Sequence, residues 1–423
     1  MLAEWHPLRR VVLRPPGMEA FFGLLEPYQA LYERVFSLSK ARREHEELVE
    51  TLRSGFGVHV QLLDQLLLQA AGRRPEIAEA LVERVLATVT FRGPGAARAR
   101  REFRESVRRL DRSMLIETLA LAPEFRFERR PGSRSVASFP TLRQPLTNLF
   151  FLRDQQAVTD RGIVIGRPAK PQRRRESELT EFVWRSTGDA PVGAVHRGTF
   201  EGGDFLPAGD FALLGTGDRT NATGVQEFLA SGIAYPEVGV VHQPSHPLLG
   251  RPDTMVNMHL DTYLNFAGDG IAVGYREMLE RARVDVWVRD QGKYHRAHST
   301  HLLPYLERAH GQRVIGLSTL EQLCYATNFL TIRDRSIVVP DVARNAERVL
   351  ANLQRIAQRD PNRYHRLYLR AAKEFGELRA ENRFFPNSPE ARDAKLESVR
   401  VPLENLTGAF GGAHCLTAAM ERG

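Results

Sequence analysis

The last segment of the chain places one cysteine among very small residues. Cys415 follows Gly408, Gly411, Gly412 and Ala413, and side chains of this size let a backbone approach a ligand closely. A thiolate presented in such a segment can act as a nucleophile toward an electron-poor carbon. A buried structural cysteine fits the same segment equally well, because free cysteines are often buried. Cys415 is therefore a candidate nucleophile whose role depends on its partners.

A nucleophilic thiol needs a proton acceptor, and His259 has the neighbours that favour such a role. It lies in the sequence VNMHLDT, where strand-like alternation would place His259 and Asp261 on the same face of a strand. The same spacing is also common in ordinary exposed strands. The second cysteine, Cys324, lies in the apolar run LCYATNFL, and we interpret it as a buried structural residue.

Two further segments bring carboxylates to positions where they could take part in chemistry. In FEGGDFLPAGDF, Glu201 and Asp204 flank two glycines, which would let both carboxylates turn toward one cavity. An ordinary acidic turn would have the same sequence pattern. In NLFFLRD, an apolar run ends abruptly in Arg153 and Asp154. Ionisable residues that follow so apolar a stretch are either paired with each other or functional.

The composition is that of a globular protein with an unusual choice of basic residue. The chain has 423 residues, of which 42% are hydrophobic and 26% charged, which argues against disorder and against a membrane protein. Its net charge is +8, but lysine supplies only five of the 59 basic residues. The arginines are dispersed among acidic residues and no nucleic-acid-binding motif is present, so a basic nucleic-acid-binding protein is the less favoured alternative.

The cysteine content and the N-terminus indicate a reduced compartment. Two cysteines cannot form a disulfide framework, and no C-x-x-C spacing predicts a metal site. The opening residues MLAEWHPLRR are interrupted by charges and have no apolar signal-peptide core. We expect a cytoplasmic protein that uses no metal or organic cofactor.

Hydrophobic periodicity predicts an α/β protein that contains a helical insertion. The chain begins with a β-α-β unit, and helical spacing then dominates from about residue 75 to residue 122. Short strands recur after Pro145, and two helices follow them. The predicted elements are strands Leu8–Leu13 and Val58–Leu63, helix Ala41–Arg53, insertion helices Ile77–Val89 and Ala97–Leu121, strands Gly162–Gly166, Phe211–Gly215, Val238–His242, Gly270–Gly274, Val284–Val288, Arg313–Leu317 and Asn328–Pro340, and helices Val342–Ala357 and Arg363–Ala380.

Taken together, in this order, the chemical segments resemble the arginine deiminase family. The matching motifs are N-x-x-F-x-R-D from Asn148 to Asp154, R-x-R-E from Arg173, E-G-G-D from Glu201 with a following R-T at Arg219, M-H-L-D-T around His259, and G-G-x-H-C-x-T around Cys415. The resemblance spans nearly the whole chain. It implies a five-bladed, pseudo-symmetric α/β propeller, the pentein fold, with a helical insertion at residues 72–134 between catalytic parts at 1–71 and 135–423.

The resemblance also implies a role for each matching residue. Cys415 would be the nucleophile, His259 the proton carrier, Glu201 its orienting partner, and Asp154 and Asp261 the carboxylates that hold a guanidinium. A guanidinium is a planar cation with a fork of N–H donors, which carboxylates around its rim can satisfy. The other residues expected to bind substrate are Asn148, Phe151, Arg173, Asp204, Arg219 and His414.

The implied reaction is hydrolysis of the guanidinium group of L-arginine, or of a close guanidino compound, to citrulline and ammonia through a covalent S-amidino intermediate. Two positions depart from the family pattern: Phe410 stands where an arginine is expected, and Gln155 where a proline is expected. Two related reactions stay open, namely amidino transfer to an amine and a dihydrolase reaction that yields ornithine. The expected partner is a small guanidino molecule, with no nucleic acid or membrane, and a homo-oligomer is compatible with the sequence.

Overall fold

The structure is a computed structural model, and it describes residues 2–129, 135–249, 253 and 256–423. Strands and helices alternate along most of the chain, so the predicted α/β class is confirmed. Among the helices of the described residues, none combines the length and the apolar character needed to cross a membrane. The expected end of the insertion, at residue 134, lies outside the described residues, and the division at residues 72 and 134 stays a prediction.

Most strands are short, and many are bounded by glycine or proline turns. The strands of the described residues are β1 Leu8–Leu13, β2 His59–Leu62, β3 Thr90–Arg92, β4 Pro123–Arg129, β5 Val136–Leu142, β6 Gln156–Thr159, β7 Gly162–Ile165, β8 Gly193–Ala194, β9 Phe205–Ala208, β10 Phe211–Thr216, β11 Glu237–His242, β12 Leu264–Gly268, β13 Ile271–Gly274, β14 Arg283–Asp290, β15 Lys293–His301, β16 Arg313–Gly316, β17 Leu330–Arg333, β18 Ser336–Pro340, β19 Glu397–Val401 and β20 Ala418–Arg422.

The helices range from single turns to about five turns, and the longest begin at capped N-termini. They are α1 Met18–Leu25, α2 Leu38–Glu50, α3 Leu63–Arg73, α4 Pro75–Thr88, α5 Ala96–Ser106, α6 Arg112–Leu121, α7 Arg174–Thr187, α8 Ala222–Leu229, α9 Arg276–Arg281, α10 Leu302–Pro304, α11 Thr319–Leu323, α12 Val342–Arg359, α13 Pro361–Ala380 and α14 Pro389–Asp393. The side chains of Asp341 and Asp360 accept hydrogen bonds from the first turns of α12 and α13. These caps satisfy backbone donors that have no partner inside a helix.

Five of the six sheets in the described part of the chain share one connectivity. In each, a central strand pairs antiparallel with one neighbour and parallel with a later strand, from which at least one helix separates it in the chain. The central strands are β1, β7, β10, β13 and β18. The first of these sheets joins the two ends of the chain, because β1 pairs with both β2 and β20.

The central strands are apolar and largely buried, because helices cover them. In β10, the run from Phe211 to Gly215 is entirely buried, and its neighbour β11 is nearly so. Such continuous apolar runs are typical of strands covered on both faces. The long helices α12 and α13 pack over β13 and β18, where Cys324 is fully buried as predicted.

Most predicted strands and helices lie within two residues of their observed bounds, with two corrections. The run Asn328–Pro340, predicted as one strand, is the hairpin β17–β18. The reason is a turn without glycine, in which Arg335 adopts a left-handed backbone with φ of 59°. The helix predicted at Ala97–Leu121 is two helices, α5 and α6, and strands on either side of them in sequence form the three-stranded sheet β3–β4–β5.

In each of the five similar sheets, a segment that carries at least one candidate chemical residue or buried polar residue leads into one edge strand. These segments come immediately before β6, β9, β12, β17 and β20, which is the same topological position in every sheet. They contain, in order, Asp154, Glu201, His259 with Asp261, Asn328 and Cys415. The fold therefore delivers the candidate chemical residues from five equivalent places.

Candidate active site

Hydrogen bonds join the five polar segments into a closed ring. The backbone N–H of Gly202 donates to the carbonyl of Asp154, and that of Leu260 donates to the carboxylate of Asp204. The ring continues from the Thr327 hydroxyl to the Asp261 carbonyl, from Gly412 N–H to the Asn328 side chain, and from Arg153 N–H to the Cys415 carbonyl. Side chains far apart in sequence thus converge on one buried site.

The expected strand geometry of His259 and Asp261 is wrong. Both lie at a tight 3₁₀ turn over Leu260–Thr262, in which the N–H of Thr262 donates to the carbonyl of His259. The turn forms because Asp204 accepts from Leu260 N–H at 3.0 Å and holds this backbone away from a strand. Instead of sharing a face, His259 contacts Glu201 and Asp154, whereas Asp261 contacts His414 and Cys415.

His259 lies between two carboxylates. Its Nε2 is 2.8 Å from Glu201 Oε2 and its Nδ1 is 3.6 Å from Asp154 Oδ1. Burial by itself lowers the pKa of this imidazole, but the charges of Asp154, Glu201 and Asp204 outweigh burial and raise the pKa of His259 to about 9. At neutral pH His259 is therefore a cation that can give up a proton.

Two buried arginines lie against the same carboxylates. Arg173 Nη1 is 2.8 Å from Asp154 Oδ2 and 3.4 Å from Glu201 Oε2, while its Nε donates to Glu176 at 3.0 Å. Arg219 Nη1 is 3.7 Å from Glu201 Oε1. Within the described residues, Nε and Nη1 of Arg219 and Nη2 of Arg173 have no hydrogen-bond partner. An unpaired buried donor is costly, so these N–H groups are suited to an anionic group of a ligand.

Cys415 lies on the other side of the site, beside Asp261. The thiol is 3.5 Å from Asp261 Oδ2, and the same oxygen is 2.8 Å from His414 Nδ1. The side chain of Cys415 is only 2% exposed. Burial, followed by the charges of Asp261 and Asp154, raises the pKa of the Cys415 thiol well above its usual value. The free site therefore keeps its sulfur protonated.

Asn328 is a site residue that the sequence did not single out. Its Nδ2 donates to Cys415 Sγ at 3.1 Å, and its Oδ1 accepts from the N–H groups of Gly412 and Cys415 at 2.8 and 3.0 Å. One side chain thus contacts the sulfur and holds the loop that carries it. Its position could have identified it as a candidate, because Asn328 lies just before β17 as Asp154 lies just before β6.

Two glycines in the site are required by close contacts. A Cβ on Gly203 would lie 2.8 Å from His259 Nδ1, and one on Gly411 would lie 2.8 Å from the Cβ of Cys415 and 2.5 Å from the ring of Phe151. Real side chains do not tolerate such distances. Glycine is therefore the residue that fits at both positions.

The other predicted substrate-binding residues are buried next to this centre. The amide of Asn148 donates to Ala30 O and to Thr147 Oγ1, so this side chain holds a neighbouring loop. Asp204 accepts from the Thr220 hydroxyl at 2.6 Å, and burial raises the pKa of Asp204 to about 6. Arg153 is paired with Glu4 at 3.3 Å and not with Asp154, its neighbour in sequence.

Both departures from the family pattern are buried. Gln155 is 0% exposed, and its amide donates to the carbonyls of Leu149 and Phe151, where a proline has no side-chain donor to offer. Phe410 has a left-handed backbone, with φ of 71°, and packs with Met258 and Tyr325. These three residues form a small apolar cluster, and each lies within five residues of a site residue in sequence.

The site also contains a group of ligand atoms that could hold a metal ion. One atom from each of Asp154, Glu201 and His259 lies within 4.8 Å of the others. The guanidinium groups of Arg173 and Arg219 lie against Asp154 and Glu201. Their positive charge offsets the negative charge that would attract a metal ion. The expected absence of a metal stays a prediction.

Known arginine deiminases align with a large part of this chain. The enzyme of Halobacterium salinarum is 27% identical over 366 residues, which cover 69% of this chain and 72% of that protein. The enzyme of Oenococcus oeni is 27% identical over 282 residues, which cover 60% of this chain and 63% of its own length. This chain thus spans less than two thirds of the second enzyme.

Solved structures with the same fold are more distant in sequence. A dimethylarginine dimethylaminohydrolase adduct with S-methyl-L-thiocitrulline is 14% identical with a TM-score of 0.51, and covers 97% of this chain and 98% of that chain. The N-terminal domain of ArgZ, an arginine dihydrolase from cyanobacteria, is 13% identical with a TM-score of 0.51, and covers 98% and 97%. These likenesses concern the fold. A model of the arginine deiminase family matches residues 28–422, and the chain therefore belongs to the arginine deiminase family.

Proposed function

We propose that this protein hydrolyses the guanidinium group of L-arginine to citrulline and ammonia, with Cys415 as the nucleophile. One observation carries the proposal. Among the described residues, the buried oxygens Asp154 Oδ1 and Asp261 Oδ1 have no hydrogen-bond partner, and they belong to carboxylates that lie beside His259 and Cys415 respectively. Family membership favours the same reaction.

A guanidinium cation supplies what these oxygens lack. Its N–H groups lie in one plane and donate in pairs, so they can satisfy carboxylates on two sides. A buried carboxylate oxygen without a hydrogen bond is costly. Each charge-assisted hydrogen bond that the guanidinium donates to it contributes roughly 1.5–3 kcal/mol. The bound cation thereby lies beside the sulfur of Cys415.

The chemistry begins with the sulfur. Binding of a cation next to Asp154 and Asp261 offsets the negative charge that raises the pKa of Cys415, so the thiol releases its proton to solvent and the thiolate forms when substrate is present. The thiolate adds to the central carbon, and His259 gives a proton to the nitrogen that leaves as ammonia. The C–N bond breaks and an S-amidino intermediate remains on Cys415.

Water completes the reaction. His259, now neutral, accepts a proton from the water that attacks the same carbon, while Glu201, 2.8 Å away, keeps the ring oriented. The C–S bond then breaks and the sulfur leaves as a thiolate, which takes up a proton from solvent to regenerate the thiol, and the ureido group of citrulline is released. Overall one arginine and one water give one citrulline and one ammonia.

The other end of the substrate carries a carboxylate, and the described residues of the site include buried N–H groups that have no hydrogen-bond acceptor. Arg219 offers Nε and Nη1 and Arg173 offers Nη2, all without a hydrogen-bond partner in the described part of the chain. We assign these donors to the carboxylate of the substrate. Asn148, Phe151 and His414 support them by holding neighbouring segments.

We also infer that the five similar sheets form a five-bladed pseudo-symmetric propeller around this site. The supporting facts are the shared connectivity, the pairing of β1 with β20, and the closed ring of hydrogen bonds between the segments that precede each sheet. Residues 72–134 are proposed as an insertion between two parts of the propeller. A cytoplasmic location and self-association stay predictions.

A product assay tests the function directly. The purified protein is incubated with L-arginine, and ammonia, citrulline and ornithine are quantified. Equal amounts of ammonia and citrulline are expected. Ornithine with two ammonia per arginine would identify a dihydrolase instead, and transfer of the amidino group to added glycine would identify an amidinotransferase.

Alkylation of Cys415 is expected to be slow in the free enzyme. Because its pKa is raised well above the usual value, iodoacetamide at neutral pH should inactivate the protein much more slowly than it modifies a free thiol. Formamidinium, a cation too small to cover the sulfur, should speed the modification. Rapid inactivation of the free enzyme would contradict a substrate-assisted thiolate.

The activity should have an alkaline limit set by His259. Its pKa of about 9 means that the protonated form prevails below that pH and is lost as pH rises through it. We therefore expect kcat/KM, which reports the free enzyme, to fall above about pH 9. In Glu201→Gln the limit should move down by about one pH unit or more, since a carboxylate that stabilises the cation is gone. An unmoved limit would argue against this pair.

Asn328 is expected to act as a positioning residue. A hydrogen bond to a charged partner contributes roughly 1.5–3 kcal/mol, so Asn328→Ala should lower kcat by about 10- to 100-fold. The pH at which iodoacetamide reaches half its maximal rate should also rise, because the amide no longer stabilises the thiolate. The matched variant Asn345→Ala, which removes another buried asparagine, should leave that pH unchanged.

A further inference from the structure

A second concave site lies away from the catalytic centre, where the insertion meets the sheet region. It is a cleft of about 380 Å³ between α4, α6, α7 and the segment that follows β5. Leucines from α6, α7 and that segment line part of its surface. Clefts of this volume are large enough for a small molecule.

Three arginines from three different elements line this cleft. Arg84 comes from α4, Arg143 from the segment after β5, and Arg175 from α7, whereas Glu178 is the one acidic residue in the lining. The cleft therefore carries an excess of two positive charges. The C-terminal turn of α4 adds carbonyl oxygens at Ala87 and Thr88, but a helix end amounts to only about half a negative charge.

Two of these arginines, Arg84 and Arg143, form no ion pair within the described part of the chain. Arg84 instead stacks on the ring of Phe182 at 4.2 Å, and Glu178 and Glu181 act on it only through longer-range attraction. The carboxylate of Glu181 is itself paired with Arg185 at 2.8 Å.

The third arginine, Arg175 of α7, is hydrogen-bonded to both α6 and the segment after β5. Arg175 donates from Nη1 to the carbonyl of Gln144 and from Nη2 to that of Leu119 at the end of α6, both at 3.0 Å. Burial, then repulsion from Arg143, lowers the pKa of Arg175, and burial also lowers that of Arg84. An anion in the cleft would relieve this repulsion.

We propose that this cleft binds a small oxyanion that carries at least two negative charges, such as a phosphate ester or a polycarboxylate. Guanidinium groups match the paired oxygens of both ligand types with two parallel hydrogen bonds. The ligand would connect α4, the segment after β5 and α7, and so hold the insertion against the sheet region. α7 follows directly after Arg173 of the catalytic site, so the bound anion also stabilises the helix next to that residue.

Equilibrium binding and thermal unfolding of the full-length protein test this proposal. Pyrophosphate and citrate are titrated separately at constant ionic strength, with L-arginine absent. We expect saturable binding of at least one of them and a rise in Tm that follows its concentration. Tighter pyrophosphate binding would identify phosphate esters as the ligand class, and tighter citrate binding would identify polycarboxylates.

A pair of matched double variants separates a specific site from general attraction of anions to a basic protein. Arg84→Ala with Arg143→Ala removes two cleft cations, and Arg101→Ala with Arg104→Ala removes two exposed cations of α5 outside the cleft. The first should weaken binding at least tenfold and the second should not. No saturable binding to the unmodified protein, or an equal loss in both variants, would overturn the proposal. Neither outcome bears on hydrolysis at Cys415.

Discussion

Cys415→Ala is expected to lower citrulline production from L-arginine by at least about 10³-fold, because no other group can form the covalent intermediate. The thiol is the only candidate nucleophile among the described residues of the site, and an alanine methyl group cannot replace its lone pairs. Steady-state citrulline assays over several hours measure the remaining activity. Citrulline production unaffected by the substitution would refute the mechanism.

Cys324→Ala is the matched control for this experiment. Cys324 is also fully buried, but it packs in the core below α12 and α13, away from the catalytic segments. The same sulfur is removed, so a general effect of losing a buried thiol would appear in both variants. We expect Cys324→Ala to keep activity while its Tm falls slightly, and Cys415→Ala to keep its Tm.

Asp154→Asn is expected to lower kcat/KM for arginine by roughly 10²- to 10⁴-fold, the range in which loss of a charged group in a preorganised site falls. The change removes the charge that faces the substrate cation and that also raises the pKa of His259. It also leaves Arg173 without its shortest ion pair, at 2.8 Å. Both substrate binding and proton transfer should suffer.

The measurement should separate these two effects. Guanidinium ion, tested as a competitive inhibitor, reports binding of the cation alone, and its inhibition constant should rise in Asp154→Asn. Asp285→Asn is the control, since Asp285 is a mostly buried carboxylate paired with Arg296 far from the segments of the site. If both variants lost activity equally, the proposed contact between Asp154 and the substrate would be wrong.

The substitutions are expected to have large effects because the site without substrate contains buried charged groups with unused hydrogen-bonding atoms. Asp154, Glu201 and Asp261 are buried. Arg173, Arg219 and His259 lie against the first two carboxylates, whereas Asp261 is paired with His414. Two carboxylate oxygens and three guanidinium N–H groups stay without hydrogen bonds in the described residues. A zwitterion with a guanidinium at one end and a carboxylate at the other fits both sets.

The candidate chemical residues and about half of the regular elements could be predicted from the sequence alone. Glycines around Cys415 and Glu201, and the order of the motifs, identified the catalytic candidates, because chemistry restricts which side chains can perform it. Apolar periodicity predicted the central strands β7, β10 and β13 and the long helices α12 and α13 to within two residues. The apolar residues of these strands and helices are buried whichever elements pack against them.

Only the tertiary structure decided which residues face one another. His259 and Asp261 serve opposite sides of the site, because the backbone contact from Asp204 imposes a 3₁₀ turn there. Asn328 entered the site through its place before β17, and in sequence it lies in an ordinary apolar run. Partners such as Asn328 and Cys415, separated by 87 positions, depend on strand pairing across the whole chain, and local sequence patterns carry no record of such distances.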